Sequence, residues 1–241
     1  MATIAQEQAW NHLQMQAPLP APRWRVWTFD APAVVLGCAQ RQHLEAARAR
    51  WPQGWELLQR PSGGGAVLTG PWMVSCSVAL PPTHPWLQGR LPDSYRALGE
   101  LHVQVLQQLG VPSRALPGDE VAAGNARLGP VVDWACYGSL APWEVVDVQQ
   151  GRKLVGLAQR RQRHGVLLVA GTLVAPPDWA LLCQALGQPQ DLAAVQARTV
   201  SCADLCAQAP SVALFAARLR AALEAALGVQ ESALAAPAGG C

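Results

Sequence analysis

Charge of either sign is scarce in this sequence. Only 14% of the 241 residues are charged, and 18 basic against 16 acidic side chains leave a net charge of +2 at pH 7. So small a surplus does not favour a nucleic-acid or membrane partner, because both attract strongly basic proteins. The sequence has no run of about 18 apolar residues. Its first residues also lack the basic start and apolar stretch of a secretory signal. We therefore predict a cytoplasmic protein with neither partner.

Lysine is almost absent. Of the 18 basic residues 17 are arginine, and the single lysine is Lys153. A composition that replaces lysine with arginine wherever arginine suffices would keep lysine only where a compact ammonium group is needed. Survival by chance is the alternative, so the neighbourhood of Lys153 has to decide between the two.

A disulfide framework is also missing. The seven cysteines are odd in number and have no regular spacing, and the pair Cys202 and Cys206 has no partner motif for a metal. We predict buried or incidental thiols and no metal site. Cys136 differs because it lies in a loop-like stretch just before a strand, where nucleophiles are often found. From position alone, a buried thiol remains the alternative.

Apolar residues make up 51% of the chain, enough for a substantial core. Period-two alternation and turn residues predict strands over 24–29, 33–38, 55–60, 72–80, 143–148, 153–159 and 165–174. Helical spacing and capping residues predict helices over 5–16, 40–50, 93–109, 178–186 and 211–227. The first of these helices should turn Trp10, Leu13 and Met15 inward. Strands and helices do not alternate strictly, which indicates an α+β domain with a mostly antiparallel sheet.

Two glycine-containing segments stand out. Arg60 precedes three consecutive glycines, which can bring backbone N–H groups close to a ligand while the arginine pairs with an anion. No Gly-Lys-Ser/Thr follows, so the segment is not a P-loop, and a plain turn is the alternative. Further along, the turn at Gly151 leads to Lys153, and Gly156 lies in mid-strand, where it admits a ligand against the backbone. A surface hairpin with a solvated lysine is the alternative there.

Together these segments resemble the lipoate–protein ligase and octanoyltransferase family, which shares its catalytic domain with biotin–protein ligases. The resemblance is carried by residues 60–67, 151–161 and 165–173, and segments 32–40 and 198–201 also fit. It covers residues 24–225. It implies one catalytic domain over 1–241, of α+β class, with a mostly antiparallel mixed sheet, flanking helices and a flexible tail over 229–241.

The resemblance implies a pocket for a medium-length acyl chain, with the glycine loop as one wall and Lys153 pointing at the acyl carbonyl. We expect apolar side chains near Val74 and Val166 to complete it. The implied substrate-binding residues are Arg60, Ser62, Gly63, Gly64, Gly65, Ala66, Val67, Gly156, Ala158, Gly171 and Thr172.

Two positions depart from the family pattern. Many relatives continue the glycine run into a His-Asp pair, where this chain has Leu68-Thr69-Gly70, and their His-Gly-Thr is Ala170-Gly171-Thr172 here. Both changes remove polar groups that the family pattern places near the pocket. The loss of the His-Asp pair predicts a less polar mouth, and the two changes together indicate a specialised or degenerate family member.

Ligases of this family typically carry Asn-Asp before the Gly-Arg-Lys motif. Ligase-like octanoyltransferases of the family typically carry Ala-Cys-Phe followed by Glu at the corresponding place. This chain has Ala-Cys136-Tyr and then Glu144, which favours an octanoyl- or lipoyltransferase with Cys136 as nucleophile and Lys153 stabilising the oxyanion. His164 is near in sequence but falls on a predicted turn, so no general base is assigned.

The transferase interpretation implies no cofactor and no metal. It implies octanoyl-acyl carrier protein or a lipoyl donor as one partner and a lipoyl-domain protein as the acceptor. Two alternatives stay open. One is an ATP-dependent lipoate–protein ligase that uses ATP and Mg. The other is a non-catalytic relative that binds acyl groups or carrier proteins.

Overall fold

The alternating segment at residues 72–80 forms one strand of the larger of two sheets. In the computed structural model, which describes residues 1–61 and 63–233, it lies in a six-stranded sheet in the order β1-β5-β9-β8-β7-β6. Every neighbouring pair in this sheet is antiparallel. Its strands are β1 (Arg23–Thr28), β5 (Met73–Leu80), β6 (Ser113–Ala115), β7 (Val145–Asp147), β8 (Lys153–Gln162) and β9 (Gly165–Leu173).

A second, three-stranded sheet has the order β3-β2-β4. Its strands are β2 (Ala33–Leu36), β3 (Leu57–Gln59) and β4 (Val67–Thr69). The β2–β3 pair is parallel and the β2–β4 pair antiparallel, so the fold mixes both kinds of pairing. The predicted α+β class with a mostly antiparallel sheet and flanking helices is confirmed.

Helices pack around the two sheets. They are α1 (Ile4–Gln14), α2 (Leu44–Arg50), α3 (Arg96–Gln108), α4 (Val121–Arg127), α5 (Trp179–Leu186), α6 (Leu192–Arg198), α7 (Cys202–Leu205) and α8 (Val212–Leu227). A reciprocal capping box between Thr3 and Gln6 fixes the start of α1. Ser211 caps α8, and Gly228 ends it in the left-handed conformation. No helix within the described residues is long and apolar enough to cross a membrane.

Both faces of the six-stranded sheet are covered. On β5 the side chains of Val74, Cys76 and Val78 enter the main core. Met73 and Ser75, two positions apart, face the space between the two sheets. This second face carries the candidate site.

Two predictions about the chain need correction. Leu13 is 46% exposed, although Trp10 and Met15 are buried as predicted. Strand β8 runs through Gln162, so residues 160–162 belong to a strand and the turn is confined to 163–164.

The described part of the predicted flexible tail contacts β1. Ser232 N donates to Trp24 O at 2.9 Å, and Glu231 accepts from Val26 N at 2.8 Å, which ties this segment to β1. The rest of that prediction, residues 234–241, lies outside the described residues.

Candidate active site

A cavity opens between the two sheets, closed on one side by helix α1. Its empty space, counted out to the open mouth, is about 790 Å³. Its apolar wall comes from both sheets: Val35, Val67, Met73, Leu157, Leu167 and Val169. The faces that the two sheets turn toward the cavity therefore suit an uncharged hydrocarbon chain.

Two facing glycines leave room in the floor of this cavity. Gly156 on β8 is paired directly with Gly171 on β9, and both line the cavity. A Cβ on Gly171 would approach the Tyr137 hydroxyl to 3.0 Å. Tyr137 is buried and donates its hydroxyl to Gly171 O at 2.5 Å, so its ring lies against this floor. Burial raises the pKa of Tyr137 well above its ordinary value, which keeps the phenol neutral.

The glycine run packs against the loop that leads to Cys136. Arg60 donates to the carbonyls of Gly63 and Gly65, at 3.1 and 3.0 Å, and thereby curls the loop. A Cβ on Gly65 would lie 2.6 Å from the Ala135 carbonyl carbon, so only glycine permits this approach. Ala66 N then donates to Trp134 O at 2.7 Å.

These contacts correct the predicted cavity wall. Arg60, Val67, Gly156, Ala158 and Gly171 do line it. Gly65 and Ala66 instead contact the loop at residues 134–136, Gly63 accepts from Arg60, and Gly64 lies against Gly37. Ser62 lies outside the described residues.

Thr172, Val74 and Val166 lie on the opposite face of their strands from the cavity, each next to a residue that lines it. Thr172 is fully buried on the core face of β9, and Val74 and Val166 belong to the main core, so the prediction that they line the cavity is wrong. Ala170 also lies on the core face, paired with Cys76. Its difference from the family pattern therefore does not change the polarity of the cavity mouth.

Cys136 has a half-buried thiol in the cavity wall. Its backbone is held from two sides: Cys136 N donates to Ala66 O at 2.8 Å, and Lys153 Nζ donates to Cys136 O at 2.7 Å. The loop just before it is fixed as well, because Trp134 Nε1 donates to Asp191 at 2.7 Å. The structure thus presents a free thiol, on a backbone held from both sides, to the cavity.

Lys153 lies beside Cys136 but is buried, with 2% exposure. Its ammonium donates to Cys136 O, to Ser139 O at 3.1 Å and to Glu144 Oε1 at 2.6 Å. In this structure it points at the carbonyl of Cys136 itself, whereas the resemblance implied an orientation toward an acyl group. Burial raises the pKa of Glu144, and the neighbouring ammonium opposes that shift.

Helix α1 contributes a polar edge that the sequence analysis missed. Glu7, Gln8, Asn11 and His12 all line the cavity. Ser75 Oγ donates to Glu7 Oε1 at 2.6 Å, and burial raises the pKa of Glu7 to about 7. The i,i+4 spacing of Glu7 and Asn11 beside the apolar Ile4 was the available signal, since it places polar groups on a buried helix face.

His164 lies on the turn between β8 and β9, where Arg163 Nε contacts its Nε2 at 2.9 Å. That position gives it no contact with the cavity wall described above. Across the described residues, no cluster of three or more His, Cys, Asp or Glu side chains is arranged to hold a metal ion.

A sequence model of the lipoyl protein ligase A/B catalytic domain matches residues 4–224, so the similarity begins at α1, earlier than predicted. The chain is 36% identical to octanoyltransferase LipM of Kyrpidia tusciae over 174 residues, which are 70% of this chain and 60% of that protein. It is 26% identical to octanoyltransferase LipM of Staphylococcus aureus over 65% of this chain and 55% of that one. The chain thus spans somewhat over half the length of these curated relatives.

Solved structures share the fold at low sequence identity. A bipartite lipoate protein ligase from Thermoplasma acidophilum superimposes with a TM-score of 0.67 at 17% identity, covering 95% of this chain and 80% of that one. Lipoate-protein ligase A bound with ATP gives a TM-score of 0.66 at 18% identity, covering 95% and 83%.

Proposed function

This chain belongs to the lipoyl protein ligase A/B catalytic domain family, and we propose that it is an acyltransferase of protein lipoylation. It moves an octanoyl or lipoyl group from a carrier-protein thioester, through a thioester on Cys136, to a lysine of a lipoyl domain. The single observation that carries this proposal is the Cys136 thiol in the wall of an apolar cavity. The name shared by the curated relatives, octanoyltransferase, supports the same chemistry.

The proposed reaction has two transfers at one carbonyl carbon. The Cys136 thiolate attacks the donor thioester, a new C–S bond forms, and the carrier thiolate leaves and takes a proton from solvent. The acceptor lysine, as a neutral amine, then attacks the acyl-enzyme. The C–S bond to Cys136 breaks, an amide forms, and the amine proton is released. No cofactor is required.

Each transfer passes through an oxyanion that needs hydrogen-bond donors. Lys153 is the charged donor next to Cys136, and its contact with Ser139 O, at 3.1 Å, is the longest of its three polar contacts. We assign Lys153 to the oxyanion through exchange of this contact for the acyl oxygen. The cytoplasm is the proposed location, because a reducing compartment keeps such a thiol free.

Intact-protein mass spectrometry after incubation with octanoyl-acyl carrier protein tests the proposal. We expect one octanoyl adduct, sensitive to hydroxylamine, that is lost in Cys136→Ala and retained in Cys38→Ala, the exposed-cysteine control. Addition of a lipoyl domain should discharge the adduct.

Two results would refute the transferase. An ATP-dependent lipoate–protein ligase would require ATP and magnesium, form no cysteine adduct and tolerate Cys136→Ala. A non-catalytic relative would bind octanoyl-acyl carrier protein without forming an adduct and would not modify the lipoyl domain.

A further inference from the structure

Glu144 is tied to the loop that carries Cys136 through a short chain of polar contacts. Both carboxylate oxygens are occupied: Oε1 accepts from Lys153 at 2.6 Å and from Leu157 N at 3.1 Å, and Oε2 accepts from Ala141 N at 2.9 Å. The side chain is 2% exposed. Glu144 therefore connects strand β8 to the segment that leads into β7.

The second link is the Lys153 ammonium. It donates to the backbone carbonyls of Cys136 and Ser139. The loop from 136 to 144 is thus closed on itself by one buried ion pair. Any shift of the carboxylate moves the ammonium and, with it, the carbonyl of the nucleophile.

The backbone beside Glu144 is held in a costly conformation. Trp143 is the one non-glycine residue with positive φ, 67°, among those that the structure describes. Such a conformation persists where the surroundings over-determine it. Here Trp143 N donates to Leu116 O at 2.6 Å, and Trp143 O occupies the space where a Cβ on Gly99 would lie. These contacts fix the direction in which the Glu144 side chain leaves the backbone.

We propose that Glu144 is a positioning residue, which places the Lys153 ammonium and through it fixes the Cys136 loop for acyl transfer. This inference rests on the proposed function, because acyl transfer is the reaction that Glu144 would serve. The contacts of Glu144 with Lys153 do not depend on that function. A neutral side chain at 144 would leave a buried ammonium without its counter-charge. Lys153 would then seek other partners, and the Cys136 carbonyl would lose its fixed donor.

Glu144→Gln is the main test, because it keeps shape and removes charge. A misplacement of about 1 Å can cost about 100-fold in rate. We expect single-turnover thioester formation and kcat to fall by about 100-fold while KM for the octanoyl donor stays within about three-fold. The rate of Cys136 alkylation by iodoacetamide, measured in a Cys38→Ala background, should differ from the wild-type rate by more than three-fold. Its dependence on pH should also differ from that of the wild type.

Asp147→Asn is the matched control. Asp147, like Glu144, is a buried carboxylate, but it lies on β7, accepts from the backbone N–H groups of Gln149, Gln150 and Arg152, and pairs with the Arg152 guanidinium at 3.3 Å. We expect this variant to lower the unfolding midpoint while the alkylation profile of Cys136 remains that of the wild type.

Should Glu144→Gln fail to fold, Glu144→Asp keeps the charge one methylene further back. It should retain the fold and lose about 10-fold in kcat. Thioester formation and alkylation within three-fold of wild type in a folded Glu144 variant would overturn the positioning role. The proposed function fails separately: wild type would then form no thioester, while the alkylation comparison would still test whether Glu144 positions Cys136.

Discussion

Glu7 should make this protein less stable as pH rises from 5 to 7. Its carboxyl is 3% exposed, and burial raises its pKa from 4.5 to about 7, against the smaller opposing effects of the Ser75 hydroxyl and Arg60. Between these values the folded state keeps a proton that the unfolded state has lost. The free energy of unfolding therefore falls as pH rises through that window.

Replacing Glu7 with Gln removes the ionisation and keeps an oxygen that can accept from Ser75. The two pKa values give a stability gain of about 1 kcal/mol at pH 5 and about 3 kcal/mol at pH 7. For a chain of this size, such gains raise the unfolding midpoint by about 2–4 °C and about 6–12 °C.

Thermal unfolding of wild type and Glu7→Gln at the two pH values measures this difference. Glu45→Gln is the control, because Glu45 is exposed and its pairing with Arg48 contributes little. An equal gain for Glu7→Gln at both pH values would refute the argument, since a packing effect has no reason to follow the ionisation of Glu7. A loss of stability at pH 7 would refute it outright.

Three further substitutions probe the site. Lys153→Arg should lower transfer by about 100- to 1,000-fold, measured by lipoyl-domain modification, and its burial predicts a lower unfolding midpoint too. Gly171→Val would bring a Cβ to 3.0 Å from the Tyr137 hydroxyl and narrow the cavity, so KM for the octanoyl donor should rise while a short-chain donor is less affected. Arg198→Ala removes four hydrogen bonds to residues 125–130 and should cost about 3 kcal/mol or more in urea unfolding, because buried carbonyls lose their donor.

Strand periodicity predicted which side chains share a face, but not which face meets the cavity. On β5 the sequence separates Met73 and Ser75 from Val74 and Cys76, and in the structure the first two line the cavity whereas the other two do not. Both faces are buried, so hydrophobicity alone does not tell cavity from core. A shift of one residue exchanges the two faces, which explains why Val74 was predicted in place of Met73.

The polar edge from α1 depends on long-range packing that local patterns do not encode. Glu7 reaches the cavity because α1 packs beside β5, where Ser75 Oγ donates to its carboxyl. The glycine run shows the same limit: its freedom of backbone was predicted, but its neighbour is the loop at Ala135, far along the chain. The local sequence shows where glycines allow a close backbone approach. Only the tertiary fold determines which segment packs there.

The survival of a single lysine now has a geometric reason. Three oxygens surround Lys153 Nζ at 2.6, 2.7 and 3.1 Å, from Glu144, Cys136 and Ser139. An ammonium has three donors around one point and can serve all of them, whereas a guanidinium spreads its donors across a planar fork. Donor geometry therefore favours lysine over arginine at this position, although arginine supplies every other basic side chain of the protein.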